Sequence, residues 1–133
     1  MNVLENMNKY LIFSDIHLGD KDSKAEELLK VLKKYKAKTI IIAGDLFDHH
    51  NLNRLKGSHW KVLSKLRKLS KKQKVIYLIG NHCFLKAEFM SILLGFDCKD
   101  ELVIELNDEK ILVIHGDIFD MLFAKYKYIT NFL

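Results

Sequence analysis

The sequence lacks several features that would place it in particular classes of protein. It has no proline, an absence that excludes no function, and only two cysteines, Cys83 and Cys98, outside any C-x-x-C pair. This spacing predicts free thiols in a reducing compartment. The opening segment, MNVLENMNKY, lacks a basic stretch followed by a long apolar run, so it does not predict a signal peptide. No apolar run approaches the ~20 residues of a membrane-spanning helix. We therefore expect a cytoplasmic protein.

Arginine is also scarce, although the chain is basic. Lys+Arg number 22 against 17 Asp+Glu, and only Arg54 and Arg67 are arginines. One segment concentrates this charge, at Lys61, Lys65, Arg67, Lys68, Lys71, Lys72 and Lys74. Such a patch is typical either of binding to nucleic acid, phosphate or anionic lipid, or of a solvated helix face. Within this patch there is one arginine and no interleaved aromatic residue, which favours the solvated face and makes nucleic acid the less favoured partner. If the patch does contact an anionic surface such as the inner membrane, we expect the protein to bind that membrane peripherally.

Short apolar runs alternate with amphipathic segments along the 133 residues, which we interpret as a single domain, 1–133. The runs of strand length are KYLIFS (9–14), KTIIIA (38–43), KVIYLI (74–79) and ILVIH (111–115). Continuous apolar runs are typical of strands that are covered on both faces. Helical patterns cover 23–36, 55–69 and 85–94. A hairpin is predicted from two strand-like segments, 102–106 and 111–115, that are joined by NDEK. This alternation predicts an α/β fold with parallel strands.

Two local features refine these helices. Ser23 and Glu26 have the spacing of a capping box at the start of the first helix. Trp60, in the second helical segment, is expected to pack in the core. The final segment, MLFAKYKYITNFL, is apolar and helix-like.

Polar side chains follow each predicted strand. They are Asp15 and His17, Asp45 and Asp48, Asn81 and His82, and His115 and Asp117. Because ligands bind at the carboxyl ends of strands in open α/β sheets, these side chains predict a site there.

The residue types favour a metal site. In an extended chain, the spacing of Asp15 and His17 would place both side chains on one side. A carboxylate can bridge two metal ions, and Asp45 is the candidate bridge. Oxygen and nitrogen ligands together suit Mn²⁺, Fe or Zn²⁺ better than Ca²⁺. A single Asp after a strand is usually a helix cap, and a single His there is usually a structural residue. Polar residues at the ends of four strands together are better explained by a metal site.

The motifs SDIHLG, AGDLFD, GNH and HGD resemble, in order, those of the calcineurin-like metallophosphoesterases. The resemblance implies a two-metal phosphoester hydrolase on an α/β/β/α sandwich. HGDIFD and the segment from His59 to His82 are similar to the group around UDP-2,3-diacylglucosamine pyrophosphatase, an enzyme of lipid A biosynthesis. A lipid-linked nucleotide or another phosphate-containing small molecule is the substrate that this likeness implies.

The resemblance also implies a role for each residue. One metal would be held by Asp15, His17 and Asp45, and the second by Asp45, Asn81 and His115. Mn²⁺ is the first choice for both metals. His82 would be the catalytic residue facing the substrate phosphate. Asp48 and Asp117 would not bind metal themselves but would orient the residues that do.

The sequence departs from the family pattern in two places. Cys83 replaces the acid that usually follows G-N-H, and the final G-H-x-H motif, which supplies a histidine to each metal, does not occur. We therefore expect the N-terminal part of a longer hydrolase, truncated after the fourth motif strand. Alone, it should bind Mn²⁺ weakly, turn over slowly or not at all, and self-associate or require a complementing chain.

Two alternatives remain open from the sequence. One is a metallonuclease similar to bacterial repair exonucleases, which share D-x-H-L-G and G-D-x-F-D. The other is a degenerate remnant that folds or binds metal without turnover.

Overall fold

The computed structural model of the chain describes residues 8–79 and 85–116. The helices are α1 (Ala25–Lys34), α2 (Gly57–Ser70) and α3 (Ala87–Phe89), with a short 3-10 helix at Leu52–Arg54 and a π-helical turn at Met90–Leu94. The strands are β1 (Asn8–Phe13), β2 (Ala37–Ile42), β3 (Lys74–Leu78), β4 (Asp97–Lys99), β5 (Glu101–Leu106) and β6 (Glu109–Ile114). None of the helices in these two ranges is both long enough and apolar enough to span a bilayer.

The main sheet is parallel and has the order β1-β2-β3-β4. Its interior strands are buried because they are covered on both faces, and Ile41 in β2 and Ile76 in β3 pair directly. The first strand lies at an edge, and its Ile12 is accordingly 45% exposed. The predicted α/β class with parallel strands is confirmed.

Two cores cover the two faces of this sheet. On one face α1 and α2 bury residues such as Leu32, Val62 and Leu66 against β2 and β3. On the other face the β5–β6 hairpin adds Ile104 to a buried cluster with Ile41, Ile76 and Leu78 of the parallel sheet. The layers are thus helix, parallel sheet and antiparallel hairpin, and residues 8–79 and 85–116 contain no second helical layer.

The first helix matches its expected charge pattern but not its expected cap. Glu26 lies in its first turn and Lys33 in its last, an arrangement that complements the helix dipole. Ser23 does not cap the helix, because its hydroxyl donates to the carbonyl of Ile16 at 2.6 Å. The capping-box prediction was wrong, since this loop contact takes the serine.

Two other local predictions differ from the structure. The segment 85–94 is not one α-helix, since it changes to a π-helical turn that ends at Gly95, where φ is +72°. Trp60 is 51% exposed instead of buried, and its indole N–H donates to the carbonyl of Leu55. The ring therefore lies at the surface, although Leu55, which accepts its hydrogen bond, is buried.

The hairpin turn is tighter than NDEK suggests. Asn107 and Asp108 alone form the loop, with φ of 52° and 63°, and Leu106 pairs with Glu109. Positive φ at both positions of a two-residue loop is typical of a type I′ turn, which matches the twist of a hairpin. This turn sets the register that brings the end of β6 to the main sheet.

Candidate metal centre

The loops that follow β1 and β2 are held together by backbone hydrogen bonds. The amide of His17 donates to the carbonyl of Asp45 at 3.0 Å, and that of Leu18 donates to Leu46 at 2.8 Å. The amide of Asp48 donates back to Leu18 at 3.0 Å. This pairing places the side chains of 15–17 beside those of 45–48.

Three candidate ligands lie on left-handed backbone. The φ angles are 56° at Asp15, 50° at His17 and 47° at Asp45. The expected extended path through Asp15 and His17 is therefore wrong, because β1 ends at Phe13 and the chain turns. Such a conformation costs about 1–2 kcal/mol per non-glycine residue. Its concentration at these positions is typical of functional sites.

The hairpin brings His115 to the same edge of the sheet. His115 follows β6, and its imidazole lies against Gly44 at the end of β2. A Cβ on Gly44 would lie 2.0 Å from Cδ2 of His115, and the φ of this glycine is +80°. Only glycine leaves space for the imidazole at this position.

The side chains converge on one carboxylate oxygen. Oδ2 of Asp45 lies 3.3 Å from Nε2 of His115 and 3.9 Å from Nε2 of His17. Asp15 approaches the same centre, with Oδ1 3.6 Å from Nε2 of His17. One ligand atom each from Asp15, Asp45 and His115 lies within 4.8 Å of the others. The structure thus brings together four of the five residues predicted as ligands.

Asp48 lies on the far side of the His17 ring. Its Oδ1 is 3.7 Å from Nδ1 of His17, whereas Nε2 of that ring faces Asp15 and Asp45. Nη2 of Arg54 lies 3.1 Å from Oδ2 of Asp48 and holds it in place. This is the position from which a carboxylate can orient a ligating histidine. The sequence reasoning missed Arg54, whose rarity in a lysine-rich chain was the available signal.

The donor set fits divalent metal ions. Three carboxylates, of Asp15, Asp45 and Asp48, gather near two imidazoles, and Arg54 pairs with Asp48. The His115 side chain is 11% exposed, while that of Asp15 is 63% exposed and open to a ligand. Asp15, His17, Asp45 and His115 would hold the ions, with Asp48 orienting His17. Bound there, divalent ions supply Lewis-acid polarisation of a phosphoryl oxygen and activation of water.

The remaining predicted site residues lie outside the part of the chain that the structure describes. They are Asn81, His82 and Asp117, together with Cys83. Their placement stays a prediction.

Comparison with known proteins identifies the family. The model for calcineurin-like phosphoesterases matches residues 9–131. The chain belongs to this family. Calcineurin-like phosphoesterases are metal-dependent hydrolases, so the family agrees with the candidate ligand cluster.

Solved structures with the same fold include a phosphoesterase and a nuclease. Yfce, a phosphoesterase from E. coli, is 24% identical to this chain and superposes with a TM-score of 0.55. The match covers 82% of this chain and 58% of the Yfce chain. The Pseudomonas putida nuclease MPE is 22% identical with a TM-score of 0.53, over 72% of this chain and 49% of its own. The chain therefore spans about half the length of these structures. Among curated proteins, none matches it significantly.

Proposed function

We propose that this calcineurin-like phosphoesterase hydrolyses a phosphodiester or pyrophosphate bond with two divalent metal ions, Mn²⁺ in preference to Fe or Zn²⁺. The observation that carries the proposal is the position of Asp45, whose Oδ2 lies within 4 Å of both His17 and His115. A carboxylate between two imidazoles is suited to be the shared ligand of two ions.

The resemblance to the family assigns a role to each residue. Asp15, His17 and Asp45 would hold one ion, and Asp45, His115 and Asn81 would hold the other. Asp117 would help to orient the ligands, as Asp48 orients His17. His82 faces the substrate phosphate and donates a proton or stabilises the charge of the leaving group.

The first candidate substrate is a lipid-linked nucleotide such as UDP-2,3-diacylglucosamine, which would assign the protein to lipid A biosynthesis. The motif HGDIFD and the segment from His59 to His82 support this assignment. Further support comes from exposed lysines on or just after α2, including Lys61, Lys68 and Lys72, which suit peripheral contact with an anionic membrane. We place the protein in the cytoplasm, at the inner face of that membrane.

The alternative substrate is nucleic acid. The same lysines and the likeness in fold to the Pseudomonas putida nuclease MPE favour it. A chain that binds metal without turnover is the remaining alternative, supported by Cys83 and the missing G-H-x-H motif.

Hydrolysis assays with Mn²⁺ separate these functions. UDP-2,3-diacylglucosamine and a single-stranded oligonucleotide are supplied to the wild type, to Asp45→Asn and to Asp97→Asn, a matched surface variant that removes a carboxylate paired with Lys74 and Lys99. The proposal expects cleavage of the lipid nucleotide that is slow, because the two G-H-x-H histidines are missing, but is lost in Asp45→Asn and retained in Asp97→Asn. Preferential cleavage of the oligonucleotide would favour the nuclease. Metal binding without either activity would favour the remnant.

A further inference from the structure

A polar cavity of about 700 Å³ lies between α1 and the N-terminus of α2, outside the ligand cluster. Lys56, Ser58 and His59 line it on the α2 side, and Glu26 and Glu27 line it on the α1 side. Nothing in the metal-centre chemistry described above uses these side chains.

The beginning of α2 is positive and lacks an anionic cap. The 14-residue helix has no acidic residue in its first turn, and its N-cap position is occupied by Lys56. A Cβ added to Gly57 would meet no atom within 4 Å, so open space lies beside this first turn. The imidazole of His59 caps the Lys56 amide but carries no negative charge, so the first amides of α2 and its dipole still favour an anion at this end.

His59 supplies a second, independent feature that points to a ligand. It is only 7% exposed, and its Nδ1 accepts hydrogen bonds from the amides of Lys56 at 3.1 Å and Gly19 at 3.3 Å. Because Nδ1 accepts, the proton of the neutral ring resides on Nε2, which is then a donor. Within residues 8–79 and 85–116 this Nε2 contacts no partner, although His59 lines the cavity.

The cavity adjoins the candidate metal centre. Asp20 and Ser23 line both this cavity and a neighbouring one of about 320 Å³, which is bounded by Asp15, His17 and Asp48. A group held at the start of α2 would therefore share one groove with a phosphoryl group at the metal ligands.

The opposite wall limits what can enter. Glu26 and Glu27 stabilise the N-terminus of α1, and with Asp20 they place three carboxylates in the cavity across from Lys56. Two further cations line the cavity: Arg54, whose charge is already paired with Asp48, and Lys21, which is exposed to solvent. A compact anion can occupy the α2 side, whereas an extended polyanion would meet the carboxylates.

We propose that the start of α2 is an anion subsite that holds a second phosphate group of the substrate. The ligands are the first-turn amides of α2, the Ser58 hydroxyl, Nε2–H of His59 and the Lys56 ammonium. The inference rests on the proposed hydrolase function, which it narrows to substrates with a second compact phosphate, such as a phosphoanhydride.

The fluorescence of Trp60, the only tryptophan in the chain, gives a local readout. The EDTA-treated chain is titrated with inorganic phosphate and with inorganic pyrophosphate. Lys56→Gln and His59→Gln are compared with the wild type, and Lys61→Gln is the matched control on the exposed surface of the same helix. Lys56 is exposed, so its replacement tests the subsite even where His59→Gln disturbs folding.

The expected result is saturable binding of both anions that Lys56→Gln weakens by about tenfold, the usual scale for a charge-assisted hydrogen bond. Lys61→Gln should stay within about twofold of the wild type, because an exposed charge away from the site contributes little. Equal weakening by both lysine variants, or the absence of saturation, would overturn the proposal. Displacement of phosphate by a single-stranded oligonucleotide would overturn the restriction to compact anions.

Mn²⁺ binding, measured on the same preparations, separates this inference from the proposed function. Saturable phosphate binding without Mn²⁺ binding would contradict the two-metal hydrolase alone. Mn²⁺ binding that Asp45→Asn reduces, without saturable phosphate binding, would contradict the subsite alone.

Discussion

Left-handed backbone at Asp15, His17 and Asp45 gives each of these side chains a direction that a strand could not provide. The strain is offset by backbone hydrogen bonds between the two loops, such as that from His17 to Asp45. The ligand atoms are therefore arranged by backbone geometry before any ion binds, which reduces the ordering cost of binding.

Gly44 is the residue on which the place of His115 depends. Gly44→Ala would introduce a Cβ 2.0 Å from the imidazole, at a φ of +80°. We expect a loss of about 1–2 kcal/mol in the free energy of unfolding, from the left-handed backbone, and a loss of Mn²⁺ affinity of more than about tenfold. Urea denaturation and calorimetric Mn²⁺ titration measure the two effects.

Gly95→Ala is the matched control for that variant. Its φ is +72°, and an added Cβ would lie 2.6 Å from Oγ of Ser70 and 2.7 Å from Nη1 of Arg67. It should lower stability similarly and leave Mn²⁺ affinity unchanged. Equal loss of affinity in both variants would indicate general destabilisation and contradict the role assigned to Gly44.

Among the elements, the β5–β6 hairpin connects a distant part of the sequence to the site. Its Ile104 packs in one cluster with residues of the parallel sheet such as Ile41, and the end of β6 brings His115 to Gly44. The two-residue turn fixes the pairing register, and a slip of one residue would turn His115 to the opposite face. The geometry of the turn therefore bears on the site.

Asp108 allows a test of this turn. Asp108→Gly should raise the free energy of unfolding by up to about 1 kcal/mol, because Asn-Gly is the preferred pair in a type I′ turn. Asp108→Val should lower it by about 1–2 kcal/mol, because a β-branched residue is strained at a φ of 63°. Urea denaturation of both variants is the measurement. The opposite order of stabilities would show that the turn is not type I′.

The elements that the sequence predicts well are those with a strong local pattern. The apolar runs at 38–43 and 74–79 become β2 and β3, because strands covered on both faces need such runs. Strand β4 was not predicted, since Asp97–Lys99 is three residues long and forms by pairing with β3. The π-helical turn at Met90–Leu94 has the same apolar content as an α-helix, so periodicity does not distinguish it.

At the scale of the whole molecule, the site joins loops and a hairpin that only folding brings together. Strand-end position predicted Asp15 and Asp45, because parallel strands deliver their carboxyl ends to one edge. His115 was also predicted from a strand end, but it reaches this edge through the antiparallel β5–β6 hairpin, which is a separate sheet. It did not predict the left-handed backbone, the space at Gly44 or the pairing of Arg54 with Asp48. These features arise from tertiary contacts between segments far apart in the sequence.

Ions bound across these segments should stabilise the fold. Each Mn²⁺ ion at about 100 times its dissociation constant adds about 2.7 kcal/mol if it does not bind the unfolded chain. For a domain of this size we expect a rise in Tm of about 10 °C per bound ion over the EDTA-treated protein, measured by scanning calorimetry. His115→Ala should show a smaller rise and Asp97→Asn the full one. An equal rise in all three proteins would mean that Mn²⁺ binds elsewhere.

The most direct test of the shared-ligand centre is the count of bound Mn²⁺ as the chain is titrated, with free Mn²⁺ followed by electron paramagnetic resonance. Two ions per chain are predicted for the wild type and for Asp97→Asn. Asp45→Asn should weaken both ions, because the bridging carboxylate loses its charge. A single ion per chain, or one ion retained at full affinity in Asp45→Asn, would contradict a two-metal centre with Asp45 as its bridge.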